Sequence, residues 1–350
     1  RSPSRGLGDV YKRQLLALLG FVMVLFLRPA AEQIETPNNV ADLFTYDIPA
    51  EFLVATDSSE SEIQQLLNEL EGGDTEPAAD ADVAGTDVAD MPTETIDIPA
   101  EMGEAGLLRW QRNRQPAPAV PNGFGKLVLI IDDMGVNGKV SADFLELPKE
   151  VTFSFLPYGK TSLALAKTSH ANGHEVLVHI PMQAVARADG TEISPGPDAL
   201  YAGMAADEAL AITRKNMKNY LDLAVGANNH MGSAATADED LMRVVLAEMV
   251  NDEMIFIDSI TTNKTVVGKV AKEFPDLPLL KRQIFLDNVR MPEAIKKQLA
   301  KAIESAQEHG GAIAIGHPYP ETLEVLKAEL PNLSDQKVVL VPVSALVEAK

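Results

Sequence analysis

The feature that most constrains this chain is an alternation running from residue 121 to the end, in which short, continuously apolar runs are separated by helix-length amphipathic stretches. The runs are KLVLII (126–131), VTFSFL (151–156), EVLVHI (175–180), MIFID (254–258), QIFLD (283–287), AIAIG (312–316) and VVLVPV (338–343). None alternates apolar with polar, so each is expected to be covered on both faces, as strands of a parallel sheet are. Helical spacing is expected over 162–171, 207–223, 237–251, 265–274, 292–309 and 320–330. Asp207 and Asp238 read as N-caps followed at once by Glu, and Pro292 and Pro320 stand where a first turn tolerates proline. Strand–helix alternation over about 225 residues predicts an α/β domain with a closed or nearly closed parallel (β/α) barrel.

Charge divides the chain. Residues 29–108 hold 20 acidic residues and no Lys, Arg or His, whereas 121–350 holds 30 acidic and 22 basic residues. The net charge of −21 therefore belongs mainly to one segment, and residues 29–120 read as a disordered acidic linker. No basic face is available for nucleic acid, which is excluded as a partner. The linker carries a helix-spaced patch, SESEIQQLLNEL (59–70), and the pentapeptide Asp-Ile-Pro-Ala-Glu twice, at 47–51 and 97–101. Such short motifs can dock an envelope protein, or can recur by chance in a low-complexity tract. RWQRNR (109–114), with the only Trp, closes the acidic run and is expected to lie against either the linker or the folded domain. Upstream, Leu15–Leu27 is thirteen apolar residues without a break, and residues 15–28 read as a membrane anchor, with a signal h-region as the second choice. Residues 1–14 end in GDVYKRQ, which matches a translated sequencing adapter, and are set aside as an artefact.

Polar residues collect where the apolar runs end, the place where α/β folds keep their sites. They are Asp132 and Asp133, His179, Asn228-Asn229-His230, Asp258-Ser259, Arg282, Asp287 and His317. Adjacent buried carboxylates repel unless a cation or proton intervenes. Asp258 and Asp287 can orient histidines or cap loops; a polar turn is the plainer reading of 228–233, and a buried core histidine that of His179. The chain has no cysteine, so any metal must use N and O donors, which suits a divalent ion such as zinc. An Asp with two His is a common set for such an ion, with a free carboxylate beside it to take a proton from water and a further His to protonate a leaving group. That combination suits hydrolysis of an amide or ester. His170, His174 and His309 read as surface residues without a role.

The segments IDDMG (131–135), EVLVHIPM (175–182), NNHMGS (228–233), FIDS (256–259) and AIAIGHPYP (312–320) together resemble the divergent polysaccharide deacetylase family, over most of 124–348. The resemblance implies a distorted (β/α) barrel, a zinc or similar ion, and removal of acetyl groups from N- or O-acetylated sugars. It implies that Asp132 is the catalytic base, Asp133 a metal ligand, His179 the first His of a two-ligand motif, and His317 the residue assisting the leaving group. The second His of that motif is expected four residues on, where Gln183 stands. His230, from the next strand end, is expected to replace it. Asp258 is grouped with the catalytic residues, and Asn229, Ser259, Arg282 and Asp287 with the substrate. The expectation is a periplasmic, inner-membrane-anchored hydrolase acting on an acetylated glycan. Its alternative is a non-catalytic glycan- or protein-binding module that keeps the fold, the reading that Gln183 favours.

Overall fold

The computed structural model describes residues 106–347. The apolar run 15–27, the acidic stretch as far as 105 and both pentapeptides lie outside them. Among the described residues no helix is long and apolar enough to cross a membrane.

The helices are α1 (Arg109–Asn113), α2 (Gly138–Phe144), α3 (Ser162–Ala171), α4 (Ala206–Met217), α5 (Glu239–Asn251), α6 (Val267–Val270), α7 (Pro292–His309) and α8 (Pro320–Glu329). The strands are β1 (Gly125–Met134), β2 (Thr152–Phe155), β3 (Val176–Met182), β4 (Ala224–Met231), β5 (Ile255–Asp258), β6 (Leu279–Lys281), β7 (Ile284–Phe285), β8 (Gly311–Gly316) and β9 (Val338–Leu340). All strand pairs are parallel, in the order β6-β5-β4-β3-β2-β1-β8-β7, with β9 beside the first residues of β1. β6 and β7 are two halves of one segment: the first pairs with β5 and the second with β8. The sheet thereby curls back on itself as a distorted barrel.

Two apolar layers follow from the period-two geometry of strands. Leu127, Leu129 and Ile131 point outward into an apolar layer that also holds helix residues such as Val245, Leu246 and Leu299. Val128, Ile130, Leu177, Val225, Ile255, Ile257, Ile313 and Ile315 point inward and fill the barrel. The bottom is plugged by Val341, Val343 and Trp110. Trp110, only 5% exposed, sits on the short α1, its backbone N–H donates to the Glu253 carbonyl, and the Asn113 side-chain amide donates to the carbonyls of Leu221 and Ala224. The RWQRNR segment thus lies on the folded domain, and the part of the expected linker from 109 onward belongs to the barrel. The buried Glu175 carboxylate joins both ends of the domain, accepting from the Gln115 N–H and from the Ser344 N–H and hydroxyl. Replacing Trp110 by Ala should lower stability by about 3–5 kcal/mol, the cost of deleting a fully packed aromatic. Urea titration checks this, and an unchanged midpoint would remove the plug from the core.

Several elements differ from expectation. The run 338–343 is a strand only over its first three residues, because Val341 and Val343 turn in to close the barrel. The helix expected over 207–223 stops at Met217, and Asp207 lies in its first turn without capping it. Asp238 does cap, accepting from the Asp240 and Leu241 N–H groups. α2 was not expected; Asn137 caps it.

Candidate metal centre

Continuing each inward row to the C-terminal end of its strand turns apolar residues into polar ones. Val128 and Ile130 lead to Asp132, Leu177 to His179, Ile257 to Ser259, and Ile313 and Ile315 to His317. β4 runs through Met231, so Asn228 and His230 are strand residues on the same inner face and not part of a polar turn. Its register brings Asn228 opposite His179 and His230 opposite Pro181.

Asp133 breaks this alternation. As neighbour of Asp132 it should point outward, but its φ of 54° lies in the left-handed region and the β1–β2 register shifts between Ile131 and Met134. Such a bulge re-aims a side chain, and the strain is typical of functional positions. Gly135 completes the turn at φ 93°, where a Cβ would lie 2.0 Å from the Ser162 hydroxyl oxygen. Both carboxylates therefore enter one cleft, lined also by His179, His230, Ser259 and His317.

Donor atoms of Asp133, His179 and His230 all lie within 4.8 Å of one another. Asp133 Oδ1 is 2.8 Å from His230 Nδ1 and 3.3 Å from His179 Nε2, yet it has no hydrogen-bond partner, and His230 Nε2 is also buried without one. Buried polar atoms are rarely left unpaired, and a cation among these three donors removes the cost. One oxygen and two imidazole nitrogens fit a borderline divalent ion with open positions. Gln183 is elsewhere: its side chain accepts from the Ala202 N–H and its carbonyl from the Ala234 and Ala235 N–H groups, so it ties loops together. His230 supplies the third donor from the neighbouring strand.

The charges are arranged around this trio. Burial works against the Asp133 charge, but His230 and His179 beside it outweigh burial and hold its carboxyl well below the usual range. Burial pushes Asp132 up, against the pull of His179 and His317 and a 2.8 Å bond from Asn228 Nδ2. Burial disfavours a charged His317, but Asp287, 2.8 Å from its Nδ1, outweighs burial and raises it to about 10. Asp287, which also lines the cleft, accepts from the His317 N–H and the Thr322 hydroxyl as well, so its carboxylate is committed to holding His317. Because the folded pKa of His317 is raised, the pair's stabilisation is fully present below the unfolded value of about 6.5 and is lost as pH rises through about 10. Metal-free wild type should therefore lose stability between those limits, and Asp287→Asn should flatten that slope in denaturation measured across the window. An equal slope in the variant would assign the pH dependence to other groups.

The remaining expected site residues divide. Ser259 is in the cleft and accepts weakly from Asn228 Nδ2 at 3.3 Å. Asn229 lines it too, but its amide is committed to the Met231 carbonyl and the Ser259 N–H. Asp258 does not line the cleft; it accepts from the Ile260 N–H and the Thr265 hydroxyl and folds the loop after β5. Its neighbour Ile257 points inward, so Asp258 must point outward. The Arg282 guanidinium donates to the Ser259 and Ile260 carbonyls and stacks on Phe285 at 3.6 Å, supporting the same loop. At the mouth stand Tyr319, 5.6 Å from the His317 ring, and Arg290, 3.9 Å above Tyr319. Neither had been given a role from sequence, nor had Asn228, although period two through 228–230 marks it as inward.

A family model described as divergent polysaccharide deacetylase matches residues 129–347, most of the chain's folded part. The chain belongs to this family. An uncharacterized protein of Haemophilus influenzae is 39% identical over 211 residues, 60% of this chain and 72% of that one. The uncharacterized protein YibQ of Escherichia coli is 33% identical over 223 residues, 64% of this chain and 67% of that one. Among solved structures, the uncharacterized protein ATU2773 from Agrobacterium tumefaciens shares the fold at a TM-score of 0.64 and 22% identity, over 70% of this chain and 97% of that one. In this family member, the segments that carry the resemblance supply inner-face residues at the tops of β1, β3, β4 and β8.

Proposed function

We propose that this divergent deacetylase is a divalent-metal-dependent hydrolase that removes acetyl groups from a glycan of the cell envelope. The observation that carries the reading is the trio Asp133, His179 and His230, with two of its donor atoms buried and otherwise unpartnered. When bound, the ion, zinc by choice of donors, polarises the acetyl carbonyl. Asp132 lies beside the trio, 3.6 Å from His179 Nε2, and takes the proton of the attacking water. His317 has Nδ1 committed to Asp287 and, charged at neutral pH, donates from Nε2 to the departing nitrogen or oxygen. The bond from acetyl carbon to the sugar breaks, one from that carbon to the water oxygen forms, and acetate leaves.

The apolar run 15–27 and the acidic residues that follow support a place on the periplasmic side of the inner membrane. An envelope protein docking on the acidic linker belongs to the same proposal. The test is acetate release from a panel of N- and O-acetylated glycans, peptidoglycan fragments included, by protein reconstituted with zinc, cobalt or nickel. Metal-dependent release supports the hydrolase. Glycan binding without release under every condition replaces it with the binding module.

A further inference from the structure

Asn228 is fully buried beneath the cleft and makes four side-chain contacts. Its Nδ2 donates to Asp132 Oδ1 at 2.8 Å and to the Ser259 hydroxyl at 3.3 Å. Its Oδ1 accepts from the Ser154 hydroxyl at 2.6 Å and faces His179 Nδ1 at 2.8 Å. The NH2 end of the amide faces Asp132, the sense in which an ionised carboxylate accepts. The oxygen end then faces His179, whose Nδ1 must carry the proton. In the neutral ring the lone pair is then on Nε2, the atom 3.3 Å from Asp133 and the one that would hold an ion. One planar amide thus fixes the protonation of a candidate ligand and the orientation of the neighbouring carboxylate. Ser154, on the inner face of β2, holds the amide in that sense.

We propose that Asn228 is a positioning residue that couples the ligand His179 to the base Asp132, setting the tautomer of one and the aim of the other. The proposal rests on the hydrolase reading for its effect on turnover, but not for its effect on His179. Neither the hydrogen-bond partner behind a metal-binding His nor an amide bridging it to the base follows from the strand-end residues alone. Groups behind a ligand typically change metal affinity by about 10–100-fold, and misplacement of a reacting group by about 1 Å can cost about 10²-fold in rate.

Two substitutions separate the two ends of the amide. Asn228→Asp keeps an acceptor for His179 and removes the donor to Asp132. Asn228→Leu removes both. Long-range ¹H–¹⁵N spectra of the metal-free full chain, recorded at a pH above the raised pKa of His179 so that the ring is neutral, should show the Nδ1–H tautomer in wild type and in Asn228→Asp, and a mixture in Asn228→Leu. Cobalt titration should show affinity within a few-fold of wild type for Asn228→Asp and about 10–100-fold weaker for Asn228→Leu. On a substrate that the wild type turns over, Asn228→Asp should lose about 10²-fold in kcat with KM little changed. An Nε2–H tautomer in wild type would overturn the proposal, as would equal cobalt affinity in wild type and a folded Asn228→Leu. Should Asn228→Leu fail to fold, Ser154→Ala serves instead: it frees the amide and should broaden the His179 signals, and an unchanged spectrum would count against the proposal. Wild type that shows the Nδ1–H tautomer yet binds no cobalt overturns the metal-dependent reading and leaves the tautomer assignment standing.

Discussion

Asp132→Asn should lower acetate release about 10²–10⁴-fold, the range for losing a general base, while leaving the bound ion and the fold in place. The side chain is buried and nearly isosteric, so packing is preserved. The amide cannot accept a proton from water, and one of its ends must now face the Asn228 NH2 group. His317→Ala should fall in the same range through loss of the group that protonates the leaving atom. It also leaves the Asp287 carboxylate, with 0% side-chain exposure, without its charged partner, so part of its effect will be on stability. Activity per mole of metal-loaded, folded protein separates the two effects. Loss of the ion in Asp132→Asn would make Asp132 a ligand and exchange the roles of the two carboxylates.

The second large effect concerns His230. His230→Ala removes one of three donors, so divalent-ion affinity should fall by more than the roughly 10–100-fold typical of losing a group behind a ligand. Adding Gln183→His should not restore it. The Gln183 side chain reaches the Ala202 N–H in the loop after β3, not the trio, so a histidine there would face loop backbone. Isothermal titration with zinc or cobalt on wild type and the single and double variants checks both statements. Recovery of tight binding in the double variant would show that position 183 can reach the centre.

Much of the architecture was legible because buried parallel strands announce themselves as unbroken apolar runs, and helices between them carry their own caps and prolines. The barrel, its site at the strand ends and the grouping of Asp133, His179 and His230 follow from that pattern and the family resemblance together. What was lost came from geometry that composition does not carry. Asp258 was set beside Ser259 as one polar strand end, although period two places them on opposite faces of β5. Asp133 enters the cleft through a left-handed residue in a bulge, which a run of apolar letters cannot signal. That Asp287 is tied to His317 and Thr322, 30 and 35 residues away, is likewise invisible in the sequence. Trp110 sits among arginines just after an acidic stretch, and its burial depends on a barrel floor assembled from residues near both ends of the domain.

The central claim is that the inner tops of β1, β3 and β4 form one three-residue metal centre. A crystal structure of the zinc- or cobalt-loaded protein, with the ion located by its anomalous scattering, tests it most directly. One ion per chain, bound by Asp133, His179 and His230 with Asp132 next to an open position, is the predicted result. A fully loaded crystal with no ion among these residues, or with the ion held by a different set, would contradict it.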